Sequence, residues 1–490
     1  MSSTQTSRAL DALRQAARTA RSRVLIRSVA ILGSAEALAR LLGIVSIVVV
    51  SRVIGPDGLG NLSFALALVG YAAVLGDGGL TIFLQRQIAA GQANVDRDVS
   101  AATVTQSLLG VVLIVALVAG LQVLPVPPAT APLMLILAPL LVAQAFSLTY
   151  VFQAREQMVP VARIRILSQV LVALVGITGV VVTRNVLWMA VGYSIGVFAG
   201  DVVCYLWLRA AGQFHPRRFP RAAVLELLRH GAPFLGITLL TQIFISLDVV
   251  VLGFTRPATQ VGEYGAAFRL VFFVFSTSSV LSAAAFPRLV QTLVADRAAF
   301  AQKYLSLVRL TARAALAVAG FLLVESTPIV QGLFGERFAG SVDLVRVLVF
   351  WVPLGFYNSL ASMALMATGH QRRYMAVLAT AGLVMASILV LAVPAIGPKG
   401  AAIAVVAREL SIAAFASWAL RDSVGLTGMR AFVGELPFLL LPAAAGALVY
   451  WQAPVVAPLA AGVAWFTVVV AIEWLRGWPT YREVLARTTA

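Results

Sequence analysis

Along most of its length the chain alternates between apolar runs of about 20 residues and short polar connections. Runs of that length constrain the fold more than any other feature. A helix rising about 1.5 Å per residue needs roughly 20 of them to cross a hydrocarbon core about 30 Å thick. Fourteen such spans are read, at 28–51, 58–82, 101–124, 131–153, 166–183, 187–208, 232–255, 262–285, 314–332, 347–368, 374–394, 401–420, 433–452 and 455–475. The runs do not alternate apolar with polar residues, so they are helices and not strands of a barrel. Connections such as Pro125-Val126-Pro127-Pro128 and Gly397-Pro398-Lys399-Gly400 carry helix-stopping chemistry. Composition agrees: 60% of residues are hydrophobic and 12% charged, about half the charged share of an ordinary soluble chain. In water such a surface would aggregate. The expectation is an all-α polytopic membrane protein with about 14 transmembrane helices.

Basic residues orient the spans, because short cytoplasmic loops collect Lys and Arg. With the N-terminus inside, 28 of the 37 Lys and Arg fall on the cytoplasmic side. Six (Arg52, Arg184, Arg256, Arg337, Arg346 and Lys399) fall outside, and Arg40, Arg269 and Arg408 lie within spans. Both termini are therefore expected in the cytoplasm. The net charge of +17 is read as topology and contact with anionic membrane lipids, not as a nucleic-acid surface. About 27 polar and basic residues precede the first span, longer than a signal peptide's n-region, so no cleavable signal is expected. Residues 1–27 read either as a basic amphipathic helix on the inner leaflet or as a positive tail that sets orientation. Cys204 is the sole cysteine and there are three histidines, so no disulfide framework and no metal site is expected.

A faint internal similarity divides the chain. Val48-Val49-Val50 leads into Gly60-Asn61-Leu62-Ser63, and about 200 residues later Val249-Val250-Val251 leads into Gly262-Glu263-Tyr264-Gly265. Both halves start in the cytoplasm with six spans, so they are expected to be parallel repeats about an axis along the membrane normal. The organisation read is an N-lobe at 28–208, a basic cytoplasmic linker at 209–230 and a C-lobe at 231–420. A helix pair at 433–475 and a cytoplasmic tail at 476–490 follow. The two pseudo-symmetric six-helix lobes form the core, and the C-terminal pair is an appendage.

Ionisable groups inside spans cost about 2.5–3.5 kcal/mol on insertion scales and normally face a partner or a cavity. Glu36 and Arg40 lie one turn apart in the first span, on a stripe with Gly33, Gly43 and Ser46. Arg40 sits about 18 Å from the inner end, near the midplane. The eighth span repeats the pattern with Gly265, Arg269, Phe272, Ser276 and Ser279. One reading is a cationic pocket between the lobes, in which the guanidinium fork grips phosphate oxygens of a diphosphate. The other is a pair of structural ion pairs, Glu36–Arg40 and Arg269 with an acid. The pocket is favoured for Arg40 and Arg269. Arg408 is a further pocket candidate; Glu409 beside it is expected to point about 100° away and to share no face with it. Among the intramembrane acids (Asp77, Asp201, Asp248, Glu325 and Glu473), Asp77 and Asp248 are candidates for pairing with arginine or for binding a coupling H⁺ or Na⁺. Walker A, H-E-x-x-H and G-x-S-x-G motifs are missing. Direct use of ATP and hydrolase chemistry therefore have no support, and the chain is read as no enzyme.

Ser51-Arg52-Val53-Ile54-Gly55-Pro56-Asp57-Gly58-Leu59-Gly60 resembles the first outer loop of polysaccharide exporters in the multidrug/oligosaccharidyl-lipid/polysaccharide superfamily, "(A/S)R-x-(L/I)-G-P-(E/D)-x-(Y/L)-G". Asp77-Gly78-Gly79-Leu80, Val261-Gly262-Glu263-Tyr264, Phe286-Pro287-Arg288-Leu289, Gly335-Glu336-Arg337-Phe338 and Gly397-Pro398-Lys399-Gly400-Ala401-Ala402 are similar to later blocks of that family. The resemblance covers roughly residues 28–420. It implies a Wzx-like flippase in the bacterial cytoplasmic (inner) membrane. Such a protein moves undecaprenyl-diphosphate-linked oligosaccharide repeat units outward by alternating access, for surface polysaccharides such as O-antigen or exopolysaccharide. The implied partners are that polyprenyl-diphosphate-linked oligosaccharide, a coupling H⁺ or Na⁺ and a polysaccharide polymerase; no cofactor is implied. Arg40 and Arg269 match cavity arginines of the related lipid II flippases. A further basic residue of that group, six places after Arg40, is Ser46 here, which favours a polysaccharide repeat unit over lipid II. The alternatives are a lipid II flippase, a cation-coupled multidrug exporter, which usually has twelve spans, or a structural subunit of an export complex.

Overall fold

The computed structural model describes residues 3–421 and 427–437, with side chains from Leu38 onward apart from Arg221 and a patchy stretch over 279–298. The side chains of Glu36, Gly33 and Ser279, most of the expected helix pair at 433–475 and the tail at 476–490 lie outside the described residues. Every regular element among the described residues is helical. Ten helices are long and apolar enough to cross a membrane. Leu38–Asp77 holds two of the expected spans, divided at Gly55, and Ala258–Ala295 supplies the eighth. Each expected span up to residue 420 thus coincides with a helix or a broken helix. The protein is a multi-pass membrane protein.

Gly55 makes the first division possible. Its φ of 71° and ψ of −175° are open to glycine and strained for other residues. Pro56 next to it lacks an amide hydrogen, so the chain leaves one span and re-enters another without a long loop.

The contacts separate two compact units: Met1–Ile54 with Asn61–Val250, and Gly55–Gly60 with Val251–Ala490. In the first, Met158–Thr183 and Leu187–Ala210 form a tight hairpin turned at Arg184, whose φ is 56°. Gly192 and Gly196 recur every fourth residue on the second helix, and a Cβ there would press on backbone atoms of Val172 and Gly176. Small residues at such spacing let two backbones approach where lipid provides no hydrophobic drive. The helix Arg221–Thr255 packs against the Gly78–Gly79 turn, where Gly231 approaches the Gly78 carbonyl. That contact holds most of this helix with the first unit.

The expected span at 131–153 is broken. It runs as Ala131–Leu137, Leu140–Ala143, a 3₁₀ turn at Gln144–Phe146 and Thr149–Ala154. Pro139 starts the disruption, and Ser147 leaves helical geometry altogether, with ψ of 72°. Buried Leu148, Tyr150, Val151 and Phe152 anchor the far side of the break in a core shared with Leu80, Val99, Cys204 and Phe214.

In the second unit, Gln371–Ile396 and Pro398–Ala419 form a hairpin at Gly397, with Pro398 opening the second helix. Arg256 donates from Nη2 to the Val393 and Pro394 carbonyls at 2.6 Å each. Those are carbonyls of a helix's last turn, and the Val393 carbonyl also accepts from the capping Gly397 amide at 2.9 Å. Gly60 and Gly262, the two glycines matched by the internal repeat, meet in this unit. A Cβ on Gly60 would strike the Ala258 carbonyl, and one on Gly262 would strike the Pro56 carbonyl. Thr259 also donates a hydrogen bond to the Asp57 carboxylate here.

Because both obstructions are backbone, the neighbours cannot swing aside. Overpacking of this kind costs about 1–3 kcal/mol. Gly262→Ala is expected to lower the thermal unfolding temperature of the detergent-purified protein. Gly332→Ala, at a helical glycine with open space around it, is expected to leave it unchanged or raise it slightly.

Candidate functional site

In the first unit Arg40 is half-buried beside buried Ala39, with buried Ser46 and Val50 about two and three turns beyond Ala39. The Ser46 hydroxyl donates to the Leu42 carbonyl at 2.6 Å, so it is satisfied within its own helix. A Cβ at Gly43 would lie 3.6 Å from Gln169 Nε2, which marks the face that packs inward.

Asp77 ends the second span directly before two glycines with positive φ, Gly78 at 62° and Gly79 at 74°. Its Oδ1 accepts hydrogen bonds from the Thr81 hydroxyl at 2.5 Å and from Gln106 Nε2 at 2.9 Å. Gln106 also reaches the Asp77 carbonyl at 3.3 Å. This carboxylate ties the turn to the helix Val95–Val123.

Asp248 is fully buried, and its Oδ1 accepts from the Val249 amide at 2.8 Å. The Tyr71 hydroxyl lies within its electrostatic reach. Earlier on the same helix, Gln242 Nε2 donates to Ser246 Oγ at 2.9 Å, and Gly70 leaves room for the Gln242 amide. Sequence reasoning singled out Asp248 but missed the polar seam around it. Its only signal was Gln242 and Ser246, polar residues in the span ahead of the acid.

In the second unit Arg269 is half-buried and donates from Nη1 to the Gly265 carbonyl at 3.2 Å. Helical side chains lean toward the N-terminus, which brings this guanidinium over its own preceding turn. The same helix carries Tyr264, Phe268, Phe272 and Phe275. Phe268, Phe272 and Phe275 converge on Trp351, with ring centroids 5.1, 5.8 and 4.8 Å away. Phe272 remains partly exposed. Arg269 therefore shares its helix with an aromatic cluster in which Phe272 is exposed and Trp351 is buried.

Arg408 and Glu409 correct an expectation. They were expected to share no face, yet they form a buried ion pair. Arg408 Nη2 and Nε reach Glu409 Oε1 at 2.7 and 3.1 Å. The offset of about 100° between neighbours describes their Cβ directions; a three-methylene side chain folds across it. Only 3% of Arg408 is exposed. Its guanidinium lies 5.4 Å from the Trp351 ring centroid, and Nη1 points to Met385 Sδ at 3.7 Å. Asn358 Nδ2 donates to Glu409 Oε2 at 2.7 Å and to its carbonyl at 3.0 Å. A pair so buried is stable because its remaining lone pairs and protons are bonded, and breaking one side costs about 3–5 kcal/mol. Trp351 thus stands between the Arg408 cation and the aromatic residues that flank Arg269. Asn358 and Trp351 were missed by sequence reasoning, since a lone Asn and a lone Trp in a span carry no pattern.

Among the described residues no group of three His, Cys, Asp or Glu side chains is placed to hold a metal ion.

The fold recurs in solved transporters. The structure described as lipid II flippase MurJ in an inward closed conformation superposes with a TM-score of 0.75 at 13% identity, covering 93% of this chain and all of that one. An inward-facing multidrug resistance MATE family transporter of the MOP superfamily gives 0.58 at 15% identity, over 81% of this chain and 98% of that one. A MOP superfamily transporter from Pyrococcus furiosus gives 0.52 at 14% identity, over 84% and 96%. At these identities the likeness shows a shared fold. No curated protein matches the chain in sequence. The family model described as polysaccharide biosynthesis protein matches residues 25–293, more than half of the chain. The chain, a multi-pass protein with this transporter fold, belongs to the polysaccharide biosynthesis protein family.

Proposed function

We propose that the protein is a flippase of the bacterial cytoplasmic membrane that carries a polyprenyl-diphosphate-linked oligosaccharide from the inner to the outer leaflet by alternating access. The observation that carries this reading is Arg269. It is a permanently charged group within a span, on the helix that carries Phe268, Phe272 and Phe275, in a polysaccharide biosynthesis family member. A lipid-linked sugar needs both chemistries, since its diphosphate must leave water and its sugars present flat apolar faces. Arg40 supplies a second guanidinium from the other half of the chain. Each fork can bind two phosphate oxygens, which offsets the desolvation of the anion. Arg408, held by Glu409, acts in this reading through Trp351 and not on the diphosphate itself.

Ser46, buried and bonded to its own helix, supplies no cation where the lipid II group has one. This favours a polysaccharide repeat unit over lipid II. Expression of the protein is accordingly expected not to rescue a strain depleted of its lipid II flippase.

Charge-assisted hydrogen bonds are worth about 1.5–3 kcal/mol each, so losing one guanidinium should slow export at least tenfold. Arg40→Ala and Arg269→Ala are expected to abolish surface polysaccharide while the protein stays in the membrane at normal level. The Lys variants keep charge without the fork and are expected to restore only part of the export. Arg218→Ala, on an exposed loop, should export normally. Normal export by both pocket variants would place the diphosphate elsewhere.

The orientation is tested by single cysteines in a Cys204→Ala background. Exposed positions Ala129 and Gln92 are expected to react with an impermeant maleimide from the outside and the inside of the cell, respectively. Reaction of both from one side would overturn the proposed topology.

A further inference from the structure

In the second unit the helix Arg297–Val324 and the short helix Thr427–Val433 flank an open cleft of about 440 Å³. Gly428 and Phe432, four residues apart, are the buried side of the short helix. A Cβ on Gly428 would lie 3.0 Å from the Tyr304 ring, and the Phe432 and Tyr357 ring centroids are 5.2 Å apart. Thr427, Arg430 and Val433 follow one another at three-residue spacing on the other side and are exposed. On the facing helix Leu305, Arg309 and Arg313 recur every fourth residue, so they also share a face. Arg313 Nε and Nη2 hold the two carboxylate oxygens of Glu435 at 2.8 and 3.2 Å. Glu435 is the only acid among the described residues that line the cleft, and this bidentate pairing neutralises it. Arg309 and Arg430, both exposed, line the same cleft and leave it with a net positive charge.

We infer that this cleft binds the phosphate of an anionic phospholipid between the guanidinium groups of Arg309 and Arg430. Each fork can take two phosphate oxygens, and neither charge is cancelled by Glu435, which Arg313 already holds. The depth fits a headgroup. Arg309 lies five residues before the expected start of the ninth span at 314, about 7.5 Å along a helix, and the headgroup layer of one leaflet is about 5–7 Å thick. The surroundings fit an amphiphile rather than a soluble anion. Val433 and Leu436, on either side of the lining residues Gly434 and Glu435, are 49% and 38% exposed and offer acyl chains an apolar surface. The connections that carry Arg309 and Arg430 follow the eighth and twelfth spans, so they share one side of the membrane, the cytoplasmic one in the proposed topology. Basic pockets between spanning helices on that side are where anionic headgroups settle. A lipid bound there bridges the two helices and adds to the Arg313–Glu435 pair that fastens the short helix. The inference goes beyond the flippase reading and does not depend on the transported substrate.

The test is the thermal unfolding of the purified full-length protein in detergent micelles, titrated with phosphatidylglycerol against phosphatidylcholine. A ligand that binds the folded state raises the unfolding temperature with the logarithm of its concentration above its dissociation constant. The wild type is expected to show this rise with phosphatidylglycerol, and not with phosphatidylcholine or inorganic phosphate. Arg309→Gln and Arg430→Gln, both at exposed positions, should each raise the half-saturating phosphatidylglycerol several-fold. The double variant should lose the response while keeping its helical circular dichroism and monodisperse elution; the single variants carry the test if it does not fold. Arg218→Gln, at an exposed arginine of the first unit, and Arg269→Ala should respond like the wild type, so loss of charge and loss of transport separate from loss of lipid binding. Equal curves for the two lipids in the wild type, or wild-type half-saturation in both single variants, would overturn the assignment. So would a response to inorganic phosphate that matches the lipid, since the ligand would then be a soluble anion.

Discussion

Water is missing from the middle of a bilayer, so each backbone amide and carbonyl there must find its partner within the protein. That constraint sets the long helices, and it makes every interruption informative. Among the described residues the chain departs from helix at few places within its spans. At Gly55 a glycine and a proline turn the chain at the end of a span. At Gly78–Gly79 the carboxylate of Asp77 and the amide of Gln106 bind the turn. At Gln144–Leu148 the compensation is incomplete, with Asp201 Oδ2 and the Tyr150 hydroxyl left open among the described residues.

The charges follow the same logic. Arg408 and Glu409 are so deeply buried that they stabilise the fold only as a pair, with Asn358 filling the second carboxylate oxygen. Arg269 differs: it is half-buried, with a bond back to its own helix, near the partly exposed Phe272 ring. Removing a charge from the first environment should damage the protein, and from the second its transport. In the proposed flippase the buried pair stiffens Trp351, and Trp351 in turn orders the aromatic face beside Arg269.

Hydropathy and loop chemistry made the helical architecture legible, because a span's length and its Gly–Pro boundaries are local properties. The hairpin at Gly397-Pro398 and the division at Gly55-Pro56 stand where those residues predicted them. The break at Gln144–Leu148 was not legible: a single Pro139 inside an apolar run looks the same whether the helix kinks or unwinds. Ring packing was half legible. Tyr264, Phe268, Phe272 and Phe275 recur at helical spacing, but nothing local reveals that Trp351 closes on them. The Arg408–Glu409 pair escaped because residue direction was judged at Cβ, whereas a guanidinium reaches several ångströms beyond it. Asp201 was visible as an intramembrane acid, but its deep burial was not.

The central claim is movement of a lipid-linked oligosaccharide by this chain alone. Its most direct measurement is translocation by purified protein in liposomes, using a polyprenyl-diphosphate-linked oligosaccharide with a sugar that an impermeant enzyme can modify. The account predicts that liposomes holding the wild-type protein expose the inner-leaflet pool to that enzyme, and that liposomes holding Arg269→Ala, equally well inserted, do not. Equal exposure in wild-type, Arg269→Ala and protein-free liposomes would contradict it.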